Sequence, residues 1–224
     1  MYTSERGLAR AAARGIRKPE AKLAGHLEPA TLSEVYIARS RGMGQIASAI
    51  TLENFGDVKN DFKKLQTALK IFSFFVRVFS DDEKDERIFF LLRGFLEALD
   101  DLSDCGNLRN KGDCGGRVRL LTLAFWWKLV DFLGQRPQVI KCAGCGKKLA
   151  DGSQNFFDAE KGGVVCSGCA GVKNNLQSIN NNQIKLLRLF LANPLDNIVK
   201  VRVGNKDLAE LEKVTDGFLK YNFG

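Results

Sequence analysis

Two pairs of cysteines are the residues of this chain best suited to chemistry. Cys142 and Cys145 form one C-x2-C pair, Cys166 and Cys169 form a second, and twenty residues separate the pairs. A C-x2-C turn can direct two sulfurs at one ion, and two such pairs at this separation are typical of a tetrahedral Zn²⁺ site. Four sulfurs occupy all four coordination positions of such an ion and leave none for water or substrate. The spacing therefore predicts one structural zinc and argues against a zinc hydrolase. Two disulfides or unrelated free thiols are the alternatives that the spacing leaves open.

Two further cysteines, Cys105 and Cys114, flank a polar segment. We interpret them as free thiols, with a disulfide or an extra metal ligand as alternatives.

Six cysteines with four in metal-like spacing fit a reducing compartment better than a disulfide framework. No apolar run is long enough to span a bilayer, and Met1–Arg6 lacks the apolar stretch of a secretory signal. The expected location is therefore the cytoplasm.

Positive charge is concentrated near the amino terminus of the chain. The 224 residues carry a formal net charge of +8, and a basic surface attracts polyanions. No basic amphipathic helix is evident at the amino terminus, so nucleic acid is favoured over membrane. The residues expected to contact DNA are Arg6, Arg10, Arg14, Arg17, Lys18, Lys22, Arg39 and Arg41. If about six of them met phosphates, affinity would fall roughly a thousandfold between about 50 and 200 mM salt. The alternative is a solvated basic surface without a ligand.

The first 56 residues have the pattern of β structure. Leu32–Ile37 and Gln45–Thr51 are short runs with β-branched and aromatic residues, and a glycine-containing loop joins them as in a hairpin. Gly7–Gly15 fits a strand with its arginines on one face, or a helix because of its alanine content. Tyr36 fits either the core or a nucleic-acid groove, and His26 is interpreted as a turn residue.

The rest of the chain predicts a helical body. Two amphipathic helices follow from apolar residues at steps of three and four. The first apolar stripe comprises Phe62, Leu65, Leu69, Phe72, Val76 and Phe79. The second comprises Ile88, Leu92, Phe95, Leu99 and Leu102. Asp57 or Asn60 is the expected cap of the first helix, and the run Asp81-Asp82-Glu83 the expected cap of the second.

A third helix, at about 117–133, is apolar on nearly every side and is therefore expected to be buried. Trp126 and Trp127 are accordingly interpreted as packing residues rather than base-stacking residues. Two more helices are expected at 183–191 and 207–221. The zinc segment begins directly after the third helix, so it is inserted between helices of the body.

These features together resemble the bacterial recombination mediators of the RecO family. Tyr2–Arg10 is similar to the family's second strand, and Gly15–Pro19 is similar to its basic loop. The segment from Cys142 to Cys169 resembles the zinc-bearing form of the family closely. The family's OB module has five strands, and this chain begins where the second should be, so the opening strand is expected to be absent.

The resemblance implies an α+β fold. Residues 1–56 would form an incomplete OB-fold DNA-binding module, in which strands 2 and 3 and nearby loops make the groove for single strands. Residues 57–224 would form an α-helical domain that contains a four-cysteine zinc module at 139–172. An unpaired edge left by a missing strand would invite misfolding or pairing with another chain.

The resemblance also implies a function without bond-changing catalysis, and hence no catalytic residues. Proteins similar to RecO mediate recombinational DNA repair in the cytoplasm, in association with the nucleoid. They bind single- and double-stranded DNA, anneal complementary strands and engage RecR. They also contact the C-terminal tail of single-stranded-DNA-binding protein and help to load RecA on DNA that this protein coats.

Two other classes of function stay open on the residues alone. A zinc-ribbon nuclease would need clustered carboxylates for Mg²⁺, and the candidates are Asp81-Asp82-Glu83 and Asp100-Asp101. A structural component of a ribosomal or transcription complex is the third class.

The lysines around the zinc segment either offset a dianionic ZnS₄ centre or make a second DNA contact. They are Lys141, Lys147, Lys148, Lys161 and Lys173.

Overall fold

The computed structural model describes residues 1–14, 23–38, 43–102, 114–150, 152–171 and 176–224. The α+β class predicted from the sequence is confirmed, because strands near the amino terminus precede a series of helices. The chain forms two compact units, residues 1–103 and 104–224. Several residues predicted to act in binding or as thiols lie outside the described residues. They are Arg17, Lys18, Lys22, Arg39, Arg41, Cys105 and the side chain of Cys114.

Five strands precede the first helix of the first unit. They are β1 (Tyr2–Thr3), β2 (Gly7–Leu8), β3 (Ala11–Ala12), β4 (Leu32–Ala38) and β5 (Gly44–Glu53). β1 pairs with β2, and a second sheet has the order β3-β5-β4, with β3 parallel and β4 antiparallel to β5. The predicted hairpin of β4 and β5 is confirmed. Three of these five strands span only two residues each.

The amino-terminal segment turns where the sequence predicted one continuous strand. The hydroxyl of Thr3 accepts a hydrogen bond from the amide of Arg6 at 3.2 Å and donates one to the carbonyl of Gly7 at 3.1 Å. Gly7 has a φ of +69°, a conformation that costs glycine little. These contacts reverse the chain, so residues 2–8 form an antiparallel pair instead of one strand. The helical alternative for Gly7–Gly15 is wrong over its described residues, which contain β2 and β3 and no helix.

Three helices complete the first unit: α1 (Gly56–Asn60), α2 (Phe62–Val78) and α3 (Glu86–Asp100). The predicted cap of α2 at Asp57 or Asn60 is wrong, because both residues lie within α1. Asp61 caps α2 instead, and its side chain accepts hydrogen bonds from two backbone amides of the first turn. α3 likewise begins after Asp85, whose side chain accepts from the amide of Arg87, rather than after the predicted acidic run.

The buried face of α2 differs from the predicted apolar stripe. Phe62, Leu69 and Val76 are 77%, 41% and 58% exposed. The buried residues of α2 are Lys64, Ala68, Ile71, Phe74 and Phe75. Because α2 has apolar residues on two faces, the spacing alone could not select the buried one. The predicted stripe of α3 is confirmed, since its helical members and the following leucine are all buried.

Gly7→Ala is expected to lower the free energy of unfolding of the first unit by about 1–3 kcal/mol. A Cβ at position 7 would lie 1.9 Å from the carbonyl oxygen of Glu83, and the φ of +69° disfavours any side chain. Gly25→Ala is the matched control, because a Cβ at position 25 would have no neighbouring atom within 4 Å and the φ there is not positive. Urea unfolding curves measure the difference. Equal midpoints for the two variants would contradict the close approach at position 7.

The second unit is built around one long helix, α4 (Cys114–Phe132), against which other helices of the unit pack. Its other helices are α5 (Ser167–Ala170), α6 (Asn181–Ala192), α7 (Leu195–Ile198) and α8 (Asn205–Phe223). A sheet of order β7-β6-β8 consists of β6 (Asn155–Asp158), β7 (Gly163–Cys166) and β8 (Gln177–Ile179). α4 contacts α6, α7 and α8. The three predicted helices of this region are confirmed.

Three aromatic rings join this sheet to the helices. The ring of Trp127 on α4 stacks on Phe218 of α8 at 5.2 Å and contacts the edge of Phe157 on β6 at 5.5 Å between centroids. The indole nitrogen of Trp127 donates a hydrogen bond to the hydroxyl of Thr215 at 2.9 Å. Trp127 is 1% exposed, so its prediction as a packing residue is confirmed. Trp126 is half-buried.

None of the helices in the described part of the chain combines the length and the apolar character required to cross a membrane.

Candidate metal centre and nucleic-acid interface

The four paired cysteines meet in one cluster of the second unit. Their sulfurs all lie within 4.8 Å of one another, with Cys166 at 3.7 Å from Cys142 and 3.9 Å from Cys145. A tetrahedron with metal–sulfur bonds of about 2.3 Å has sulfur–sulfur edges of about 3.8 Å. A disulfide would instead hold two sulfurs about 2.05 Å apart. The spacing is compatible with a structural metal ion, and it does not support the disulfide alternative.

A tight turn aims the first pair of sulfurs. The amide of Cys142 donates to the carbonyl of Lys147 at 2.8 Å, and the amide of Gly146 donates to the carbonyl of Cys142 at 2.9 Å. Gly146 has a φ of +72°, which closes the turn at little cost for a glycine. A Cβ at Gly144 would lie 2.9 Å from the Cβ of Cys169, so the two pairs approach as closely as the backbone permits.

Backbone contacts hold the second pair against the first. Cys166 ends β7 and Cys169 lies in the short helix α5, so a strand-to-helix junction presents both sulfurs. The amide of Val164 on β7 donates to the carbonyl of Gln138, and the amide of Ala143 donates to the carbonyl of Val164, both at 2.8 Å. The two cysteine turns are therefore fixed by main-chain hydrogen bonds around β7 as well as by any shared ion.

Amide dipoles favour a negative sulfur at Cys142. Burial raises the pKa of this thiol, but three backbone amides donate hydrogen bonds to its sulfur at 3.4–3.5 Å. The net effect lowers the pKa of Cys142 to about 6. Hydrogen bonds with the other thiols raise the pKa of Cys169 to about 12, and the bond with Cys145 has the largest effect. A sulfur that favours the thiolate form suits a metal cation, because a cysteine must lose its proton to bind one.

An ion held by all four sulfurs would have no open coordination position, because four sulfurs complete a tetrahedral set. Among the described residues, these cysteines are the one group of three or more Cys, His, Asp or Glu side chains close enough to share an ion. Lys141, Lys147, Lys148 and Lys161 are all exposed, and Lys161 donates a hydrogen bond to the carbonyl of Cys169 at 3.0 Å. Lys173 lies outside the described residues.

The predicted DNA-binding arginines of the first unit are only partly available to a ligand. A nitrogen of Arg6 lies 2.6 Å from a carboxylate oxygen of Asp82, and a nitrogen of Arg10 lies 3.2 Å from one of Asp81. The arginine side chains remain 42% and 58% exposed. Arg14 is exposed, and no ion pair joins it to another described residue. Two of the three described arginines therefore already have carboxylate partners.

Tyr36 and His26 take different positions. Tyr36 is 56% exposed, so it faces away from the core, and its hydroxyl donates to Glu34 at 2.9 Å. His26 lies in a short 3-10 turn, and its Nδ1 is 2.7 Å from the hydroxyl of Thr51. The interpretation of His26 as a turn residue is confirmed.

Sequence reasoning noticed the acidic run Asp81-Asp82-Glu83 but missed its partners. Local spacing predicted a helix cap, whereas the structure pairs two of the carboxylates with arginines more than seventy positions earlier in the chain. The one available signal was the opposite charge of the two segments. In the second acidic run, a carboxylate oxygen of Asp100 accepts a hydrogen bond from the amide of Val58 at 2.8 Å. Both runs are therefore engaged in contacts within the first unit, and these contacts do not support the nuclease alternative.

Comparison with known proteins covers almost the whole chain. A family model described as Recombination protein O C terminal matches residues 59–224, and one described as Recombination protein O N terminal matches residues 1–55. The chain is 29% identical to DNA repair protein RecO of Roseiflexus sp. (strain RS-1) over 96% of this chain and 71% of that protein. It is 27% identical to the protein of the same name from Dehalococcoides mccartyi (strain ATCC BAA-2266 / KCTC 15142 / 195), over 95% of this chain and 78% of that protein.

Proposed function

Because the chain belongs to the RecO family of recombination proteins, with a role in DNA repair, we propose that it binds single- and double-stranded DNA and anneals complementary strands. The observation that carries this proposal is the match of both family models, which together span nearly every residue. The net charge of +8 supports it, since affinity for a polyanion requires an excess of cations. Membership of this family favours a mediator over an enzyme.

We place the DNA contact on residues 1–56, which we propose to act as the OB-fold module. Arg14 offers an exposed guanidinium there, and Arg6 and Arg10 offer partly exposed ones. A guanidinium presents a planar fork of donors that matches phosphate oxygens. The remaining proposed contacts are Arg17, Lys18, Lys22, Arg39 and Arg41. Charge rather than base recognition then supplies most of the affinity.

The proposed partners follow from the family rather than from any surface described above. We propose that the protein acts with RecR, engages the C-terminal tail of single-stranded-DNA-binding protein, and promotes loading of RecA on DNA coated by that protein. Co-purification with each candidate partner tests these steps one at a time. Failure to bind any of them would leave annealing as the whole activity.

The ion that the cysteine cluster holds is proposed to be Zn²⁺. Cys142, Cys145, Cys166 and Cys169 would supply four thiolates, and Zn²⁺ accepts a tetrahedral sulfur set and has no redox chemistry of its own. A completed set supplies folding energy and no reaction chemistry. The fit rests on sulfur separations of 3.7–3.9 Å, which are close to the edges of a ZnS₄ tetrahedron.

DNA binding is expected to be strongly dependent on salt. If about six cations contact phosphates, the slope of log affinity against log salt should be about −4 on single strands and about −5 on duplex. Fluorescence anisotropy with labelled oligonucleotides measures both slopes, and a gel assay measures annealing without ATP or a divalent metal. The absence of binding in dilute buffer would refute the proposal. Metal-dependent cleavage of the oligonucleotide would favour the nuclease alternative.

A further inference from the structure

The connection between α2 and α3 places two carboxylates on the arginines that are proposed to hold DNA. Asp82 pairs with Arg6 at 2.6 Å, and Asp81 pairs with Arg10 at 3.2 Å. All four side chains are between 42% and 58% exposed, so these pairs lie at the surface and not in the core. The acidic segment therefore contacts the same exposed guanidinium groups that DNA phosphates are proposed to contact.

Main-chain contacts hold this acidic segment in place. The amide of Asp82 donates to the carbonyl of Leu8 at 3.0 Å, and Leu8 and Asp81 form a parallel bridge. The carbonyl of Glu83 lies so close to Gly7 that a Cβ there would be 1.9 Å away. Asp82 has a φ of +66°, which is uncommon for a residue with a side chain. The carboxylates thus reach the arginines from a backbone docked beside β2, and not as two chance side-chain encounters.

The chemistry of these pairs is the chemistry of a phosphate contact. A carboxylate and a phosphate both accept hydrogen bonds from the guanidinium fork, and one arginine fork cannot serve both fully at once. Exposed ion pairs contribute little free energy each, so a DNA backbone that brings many phosphates can displace them. Arg14, which has no ion pair with a described residue, offers a first contact that requires no displacement.

We propose that Asp81 and Asp82 are an intramolecular substitute for DNA phosphates, which phosphates must displace from Arg6 and Arg10. This autoinhibitory contact rests on the proposed DNA binding. It holds the affinity of the free protein for DNA below the value that its basic surface would otherwise give. A partner or a modification that drew the acidic segment away would raise that affinity without adding a new contact.

The test is the double variant Asp81→Asn/Asp82→Asn, titrated with a labelled oligo-dT strand. Asparagine keeps the size of the side chain and the amide that bonds to Leu8, but it removes the charge. We expect binding at low salt to be about three to thirty times tighter than in the unchanged protein. The gain should shrink as salt rises, because screening weakens all exposed charge pairs.

Two comparisons separate displacement from a general change in charge. Asp57→Asn/Asp196→Asn removes the same two charges at exposed positions outside the acidic segment and should tighten binding by less than about twofold. In an Arg6→Gln/Arg10→Gln background, the double asparagine change should give little further gain, because the arginines that it frees are gone. An equal gain in the control pair, or an undiminished gain in the arginine-free background, would overturn the proposal.

Thermal melts of all variants show whether the segment stays docked. If the double variant melts at a lower temperature, the single variants Asp81→Asn and Asp82→Asn, each freeing one arginine, provide the same comparison. DNA binding by the unchanged protein without any gain in these variants would refute the inference alone. No DNA binding by any of the proteins would refute the proposed function and the inference with it.

Discussion

A Cys142→Ser protein is expected to purify without the metal ion proposed for the cysteine cluster and to lose at least about 4 kcal/mol of the free energy of unfolding of the second unit. Structural zinc contributes about 10–16 kcal/mol in small peptides, whereas a whole domain is stable by about 5–15 kcal/mol. Cys142 is 2% exposed and its sulfur accepts three amide hydrogen bonds, so serine cannot replace it as a soft anionic ligand.

The loss should be confined mostly to the segment around the cysteines. α4, α6 and α8 contact one another without the metal centre, so they should keep much of their helical signal. Metal content by atomic emission and urea unfolding by far-ultraviolet circular dichroism measure the two effects. Cys105→Ser is the matched control, since that residue lies outside both C-x2-C pairs. A Cys142→Ser protein with full metal content and an unchanged unfolding curve would show that the cluster is not a metal site.

Trp127→Ala should lower the free energy of unfolding of the second unit by about 3–5 kcal/mol. The indole is 1% exposed and contacts Phe218 and Phe157, so alanine would leave a cavity where α4, α8 and β6 meet. The change also removes the donor to the hydroxyl of Thr215, although that hydroxyl still donates to the carbonyl of Leu211. Urea unfolding followed by circular dichroism is the appropriate measurement, because the substitution alters tryptophan fluorescence.

Two matched variants divide this effect. Trp127→Phe keeps an aromatic ring but loses the hydrogen bond, and it should cost about 1–2 kcal/mol. Trp126→Ala, at the half-buried neighbouring position, should cost less than Trp127→Ala because less surface is buried there. A loss below about 1 kcal/mol for Trp127→Ala would mean that the three rings do not hold the sheet to the helices.

The cysteine cluster could be predicted because its determinants are local. Each C-x2-C turn is defined by four residues, and the glycine after the first pair has the positive φ that the turn needs. The helix α4 was equally clear, since an apolar sequence on nearly every side permits few alternatives to burial. In both cases, the information lies within a short window of the chain.

The features that were mispredicted depend on distant residues. Lys64 is buried on α2 because its amine donates to the carbonyl of Asp100, at the end of a different helix. Asp61 rather than Asp57 caps α2 because α1 forms a separate short helix, whose amide at Val58 is bound by the side chain of Asp100. No periodicity within α2 reports these contacts. The pairing of Arg6 with Asp82 escaped prediction for the same reason.

The ring contact between Phe157 and Phe218 joins two segments that the ribosome makes at different times. The four thiol ligands lie close together in the sequence, and closing a short loop costs less entropy than closing a long one. They can therefore gather on the proposed ion before α8 is synthesised. Phe218 lies on α8, well after Cys169 in the chain, so Phe157 can contact Trp127 on α4 before it gains this second ring contact.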